Sequence, residues 1–139
     1  MRNNNKGISS ECLYGHPASY NNYFGNTIIN NTQGIYLCSS NNNIIEGNTL
    51  MQNNGGIIGS YTHNNTLYRN NLISNSIQTD LSSLNFWDYN GQGNYWSNYD
   101  SPAEGCNDLN SNWICDSALV WNSNNRDNFP FTMQDGCKN

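Results

Sequence analysis

Positive charge is scarce in this chain. Five Lys and Arg stand against ten Asp and Glu in 139 residues, a formal net charge of −5, so the attraction that nucleic acid or an anionic lipid surface requires is missing. Neither is expected as a partner. No apolar run approaches the roughly 20 residues of a membrane span, and the Met1-Arg2-Asn3-Asn4 start lacks the apolar stretch of a secretory leader. Membrane insertion is therefore not expected. Hydrophobic residues are also few, at 35%, which is low for a conventional globular core but enough for a solenoid with a narrow lumen.

Asparagine fills the space that these absences leave. There are 31 in the chain, and Asn is poor in helices and ordinary strands but tolerates left-handed corners and forms ladders when identical residues stack. The spacing is regular. Asn26, Asn48 and Asn70 are each twenty-two residues apart, as are Ile28, Leu50 and Leu72, and Gly34 and Gly56 share the interval. A period of about 20 to 30 residues, with short apolar pairs between Asn and Gly, matches one coil of a parallel β-helix. An Asn-rich disordered segment would not hold the apolar pairs in register.

The period predicts coils over Asn4 to Ile28, Ile29 to Leu50, Met51 to Leu72 and Ile73 to about Gly93. Coil one is longer because of an insertion across Leu13-Tyr14-Gly15-His16-Pro17-Ala18. Predicted inward stacks are Tyr23, Ile45 and Leu67; Ile28, Leu50 and Leu72; Ile29, Met51 and Ile73; and Ile35 with Ile57. Adjacent pairs such as Leu50 and Met51 cannot both face inward on one strand, so one of each sits at a bend. The amides of Asn26, Asn48 and Asn70 are expected as a ladder at one corner. Residues 1–93 are thus the coils. After Trp87 come the other three Trp (Trp96, Trp113 and Trp121) and seven of the ten acidic residues, so residues 94–139 form a cap over the apolar end of the stack.

Five Cys in a short polar chain point to an oxidising compartment, outside the cytosol. Such a location without a leader implies a processed or C-terminal part of a longer secreted protein, or a start lying upstream. Cys106 and Cys115 flank a loop that a disulfide would close, and Cys12 and Cys38 fall at nearly matching places on adjacent coils, within disulfide reach if the coil-one insertion absorbs the offset. Cys137 remains odd: free, paired between molecules, or displacing one of these partners. Asn30-Asn31-Thr32 and Asn64-Asn65-Thr66 offer Asn30 and Asn64 as glycosylation acceptors.

The repeated Asn-x-Ile and Gly-Ile pattern, with Gly93-Asn94-Tyr95-Trp96-Ser97-Asn98-Tyr99 and Asp127-Asn128-Phe129-Pro130-Phe131, resembles the NosD-like right-handed parallel β-helix proteins of bacterial and archaeal surfaces and periplasm. The resemblance implies an all-β, right-handed, single-stranded parallel β-helix with an irregular cap. In that family the loop before the final Pro is rich in Asp and Gly; here Asn107 to Asp116 has lost the glycines. Asp108, Asn110, Asn112 and Asp116 still offer oxygen ligands at alternate positions, and a structural calcium is the one cofactor considered. The family's link to copper finds little support in two scattered His and three Met.

Pectin-cleaving enzymes share the fold, but their chemistry needs clustered carboxylates. Coils one to three hold only Glu11, Glu46, Lys6 and Arg69 as charged groups, with Asp80 in the fourth. His16 and His63 lack an Asp or Cys partner. A non-catalytic chain is expected, with two readings. In the first it is a structural subunit of an extracellular or cell-surface assembly, associating head-to-tail into a filament, with Ile8 of a bare first rung covered by a neighbour's Trp96, Trp113 and Trp121. In the second it binds polysaccharide, with exposed aromatics stacking on sugar rings and rows of Asn bonding hydroxyls. Aromatics aligned on one face favour the second; aromatics gathered at the end favour the first.

Overall fold

The computed structural model describes residues 1–12 and 17–136. Short strands recur with the expected period and pair in parallel with the coils before and after. The first side of the coil is β1 (Lys6–Ser10), β4 (Gln33–Cys38), β7 (Gly55–Ser60) and β10 (Ile77–Asp80). The second is β2 (Asn22–Phe24), β5 (Ile44–Glu46) and β8 (Thr66–Tyr68), continued by a bridge from Thr66 to Phe86. The third is β3 (Thr27–Ile29), β6 (Thr49–Met51), β9 (Asn71–Ile73) and β11 (Tyr95–Trp96). The register pairs Ile28 with Leu50 and Leu50 with Leu72, and Tyr23 with Ile45 and Ile45 with Leu67. The result is a β-solenoid of about three turns with 22-residue coils and a partial fourth.

Side-chain direction resolves the ambiguous pairs. Ile28, Leu50 and Leu72 are fully buried and stack in the lumen with Ile35, Leu37, Ile45, Ile57 and Leu67. Their neighbours Met51 and Ile73 face outward, half-buried, as alternation along a strand requires. The fourth coil begins to fail: Leu81 is buried, but Ile77 is 54% exposed. The stack also runs past residue 93, since β11 pairs with β9 and places Tyr95 beside Asn71 and Trp96 beside Leu72.

The corners explain the Asn content. Tyr20, Asn42 and Asn64; Gly25, Gly47 and Arg69; and Asn30, Gln52 and Ser74 all take left-handed φ between +49° and +65°. Each precedes a buried or corner Asn. The side chains of those following Asn form three ladders rather than one. Asn21, Asn43, Asn65 and Asn85 make the first; Asn26, Asn48, Asn70 and Asn94 the second; Asn31, Asn53 and Asn75 the third. In each step both the backbone N–H and the side-chain amide donate to the Oδ1 of the next coil, at 2.9–3.0 Å from Asn48 to Asn70 and from Asn43 to Asn65.

A column of glycines holds the other constraint. A Cβ on Gly34 would lie 2.6 Å from the carbonyl oxygen of Gly56 and 2.8 Å from Leu50; the backbone of the next coil leaves no room for a side chain. Gly34→Ala should therefore destabilise the fold by about 1–3 kcal/mol, the range of an overpacked core. Asn53→Ala, which strips the acceptor of Asn31 and the donor to Asn75 and the Ile28 carbonyl, should cost roughly 2–5 kcal/mol. Urea denaturation of both variants checks this; an unchanged midpoint for either would show that its column does not hold the coils.

Candidate functional site: the capped end and the outer aromatic face

A ladder that passes donors from coil to coil must end on an acceptor. The cap supplies it with the antiparallel hairpin β12 (Leu119–Asn122) and β13 (Asn125–Asp127), whose alternate residues Asn125 and Asp127 turn inward while Arg126 points out. The backbone N–H of Asn85 donates to Asn125 Oδ1 at 3.3 Å, and that of Asn94 to Asp127 Oδ2 at 2.7 Å. The third ladder ends differently: the Asn75 amide donates to Gln78 Oε1 at 2.9 Å, and Gln78 reaches back to the Leu72 carbonyl at 3.1 Å.

The same two residues hold the tryptophans. Trp87 Nε1 donates to Asn125 at 2.9 Å and Trp96 Nε1 to Asp127 at 2.9 Å. Trp87, Trp96 and Trp121 form a triangle with ring centroids 4.9–5.5 Å apart. The expectation that Trp96 serves as a contact surface for a neighbour is thus corrected. It is 1% exposed, because the apolar end of the lumen is filled from within the chain. Trp121 packs half-buried against the same core, Trp113 is 44% exposed, and Ile8 packs against the core from the first rung.

Asp127 is fully buried and has no cationic partner among the described residues. Burial pushes its carboxyl up to about 7, against the pull of the Trp96, Asn94 and Phe129 N–H donors. The sign of the linkage follows: with an ordinary value of 3.8 when unfolded, the folded chain retains a proton between about 4 and 7 that the unfolded chain releases. This group's contribution to stability declines as pH rises across that window. The thermal midpoint of the protein should fall between pH 5 and pH 7, and Asp127→Asn should flatten that slope while losing the Phe129 contact. A variant with the parent's slope would place the titration elsewhere.

Two disulfides are present. Cys12 joins Cys38 with Cα atoms 5.0 Å apart, across adjacent coils, and Cys106 joins Cys115 at 4.8 Å, after the 3-10 turn Pro102–Glu104. Cys137 lies outside the described residues. The loop between Cys106 and Cys115 turns its oxygens onto itself. Asp108 accepts the N–H groups of Asn112 and Trp113 at 3.0 and 2.9 Å, Asn110 accepts that of Asn112, Asn112 that of Ile114, and Asp116 that of Leu109. The four side chains considered for calcium thus cap backbone donors, and among the described residues no group of three or more His, Cys, Asp or Glu converges. Replacing Cys106 and Cys115 by Ser should cost about 2–3 kcal/mol, the chain-entropy value for a loop of this length; an unaltered thermal midpoint would mean the Asx turns alone shape the loop.

The outer face of the second side carries exposed aromatics. Phe24 is 69% exposed with its ring against Gly47, Ile44 is 40% exposed, and Tyr68 and Tyr89 pair with centroids 5.3 Å apart. Burial and the adjacent Glu46 carboxylate push the Tyr68 hydroxyl up to about 12, so it remains a donor. Glu46 also faces Arg69 at 3.6 Å. Phe86 continues the Ile44 and Thr66 row into a cleft beside the hairpin. Asn30 and Asn64 sit at exposed corners. His63 is exposed, while His16 lies outside the described residues.

The first and third ladders and the role of Asp127 do not figure among the sites expected from the sequence. The ladders had a signal: Asn31, Asn53 and Asn75 repeat at twenty-two residues, as do Asn21, Asn43 and Asn65. Asp127 stands in the Asp127-Asn128-Phe129-Pro130-Phe131 string that carries the resemblance, but its role had no signal, because the hairpin breaks the period.

A family model described as periplasmic copper-binding protein (NosD) matches residues 1–101. No curated protein and no solved structure matches the chain. Copper takes His, Met and thiolate; the described His63 is exposed, Met51 and Met133 lie apart on a coil and in the cap, and four cysteines are oxidised. These residues do not fit a copper site.

Proposed function

The chain belongs to the NosD family, and from that premise we propose that it serves as a non-catalytic structural module of the cell exterior, one that terminates a β-helical stack. The family is described as periplasmic, which agrees with an oxidising location and two disulfides. The observation that carries the reading is the asymmetry of the ladders. In two of the three ladders the donors are met at the cap by Asn125 and Asp127, whereas at the first coil Oδ1 of Asn21 and of Asn26 accepts no hydrogen bond among the described residues; in the third, Asn31 Oδ1 accepts the N–H of Asn4 at 2.9 Å. A further coil of the same polarity, from this polypeptide or from a neighbour, would supply the donors.

Function as a rigid module also fits what the charged groups do. Lys6 pairs with Glu11 at 3.0 Å and Arg69 with Glu46 at 3.6 Å, and Asp127 is sealed beneath the tryptophans. Each of these groups is therefore already engaged within the chain. Self-association through the first coil is the partner interaction proposed. Light scattering over a dilution series, on material with a verified N-terminus, should show concentration-dependent association that Ile8→Asp abolishes. A monomer at all concentrations, indifferent to that substitution, would remove stacking between molecules from the proposal.

A further inference from the structure

Beside the cap, three apolar side chains stay in water. Leu84, Phe86 and Val120 are 48%, 49% and 59% exposed and line one cleft of about 600 Å³, within the range of small-ligand sites. The platform is rigid. Phe86 donates its N–H to the Asn65 carbonyl at 2.8 Å and its carbonyl accepts from Leu67 at 2.7 Å, so its backbone is held by the solenoid. Val120 is held opposite Arg126 on the hairpin. Exposed apolar groups clustered on fixed backbone mark a binding surface more often than chance exposure does.

The polar rim narrows the ligand. Asp88 Oδ2 accepts both the backbone and the side-chain N–H of Asn128, at 3.0 and 2.8 Å, which leaves its other oxygen open. The Arg126 guanidinium makes no hydrogen bond or ion pair with the described residues. Asn122 spends its oxygen on Asn124 and Asn125 and keeps its amide N–H groups. Open donors on Arg126 and Asn122 and an open acceptor on Asp88 therefore line the same cleft as the Phe86 ring, with one carboxylate and one guanidinium among them. An apolar peptide would strand these polar groups, and an anionic chain would meet Asp88 and a net charge of −5. Sugar hydroxyls each donate and accept, and the C–H face of a pyranose suits a ring such as Phe86.

We propose that this cleft binds a neutral polysaccharide chain, which runs from it along the outer face of the second side. That face continues the cleft without a break: Ile44, Thr66 and Phe86 stand in one row, at rungs about 4.8 Å apart, and Phe24 and Tyr68 flank it. The inference stands apart from the stacking proposal, since the cleft lies at the capped end and uses neither Ile8 nor the open acceptors of Asn21 and Asn26.

Native electrophoresis in gels carrying galactomannan, hydroxyethylcellulose or alginate tests it. Retardation is expected in at least one of the two neutral gels, weakened at least tenfold by Phe86→Ala and by Val120→Asp and unchanged by Tyr61→Ala, a substitution at an exposed residue outside the cleft. Circular dichroism identifies any variant that fails to fold; if Phe86→Ala does, Val120→Asp decides. Free migration of the parent in both neutral gels, retardation by alginate alone, or folded cleft variants retarded like the parent would each overturn the proposal. So would self-association that Val120→Asp abolishes with no retardation in the neutral gels, which would assign the cleft to a second copy of the chain.

Discussion

The direction of the amide ladders organises everything else in this molecule. At each corner the chain takes a left-handed residue and then an Asn, and that Asn donates twice to the same oxygen on the next coil. Left-handed φ costs an ordinary residue about 1–2 kcal/mol, and the chain accepts that cost even at Tyr20 and Arg69. What offsets it is the removal of buried backbone donors from the unsatisfied list, since corners have no strand partners of their own. Because every step points the same way, neighbouring bonds polarise one another along the stack. The 22-residue period of the regular coils keeps each Asn on its column, and the steps of 20 residues from Asn65 to Asn85 and of 24 from Asn70 to Asn94 show that a shorter or longer connection can do so too.

A directional ladder also creates a problem at its far end. The last coil arrives with donors in hand and an apolar cross-section behind them, and both must be met at once. One hairpin does so because strand alternation places Asn125 and Asp127 on the same side, two residues apart. Each then serves twice, as the ladder's final acceptor and as the partner of a Trp indole. The cost is a buried carboxyl whose protonation follows pH. An amide at that position would accept from Asn94 and Trp96, but its N–H₂ would face the Phe129 N–H that Asp127 Oδ1 now accepts at 3.0 Å. A carboxylate, acceptor on both oxygens, suits a site whose neighbours are all donors.

This division decides what could be read from the residues alone. The solenoid was legible because its determinants repeat: Ile28, Leu50 and Leu72 declare the lumen, and Gly34 and Gly56 keep the same interval, although the close approach of backbones that requires them within β4 and β7 was not legible. Which member of each apolar pair faces inward was not legible, since Leu50 and Met51 are both good core residues and only the corner position sorts them. The cap was legible as a cap from its tryptophans, yet not in its workings. Contacts such as Asn94 to Asp127 and Asn85 to Asn125 join residues 33 and 40 apart with no repeat to announce them. The burial of Trp96 reverses its expected role for the same reason: an aromatic at the end of a solenoid can close the lumen or meet a neighbour, and composition does not distinguish the two.

The family match and the donor chemistry then fall on different parts of the problem. What the family model recognises, residues 1–101, is chiefly the coil, and the coil's inward positions are occupied by aliphatic side chains and amides committed to the ladders. A fold of this kind carries its chemistry on whatever faces outward. In this chain the outward residues with strong character are aromatic and amide rather than thiolate or imidazole, with Phe24, Tyr68, Tyr89 and Phe86 gathered on one side and its extension. Many of the side-chain oxygens and amides hydrogen-bond within corners and loops. The same economy that makes the stack rigid thus leaves the second side, with its exposed rings and unspent hydrogen-bonding groups at the cap, as the surface best equipped to meet another molecule.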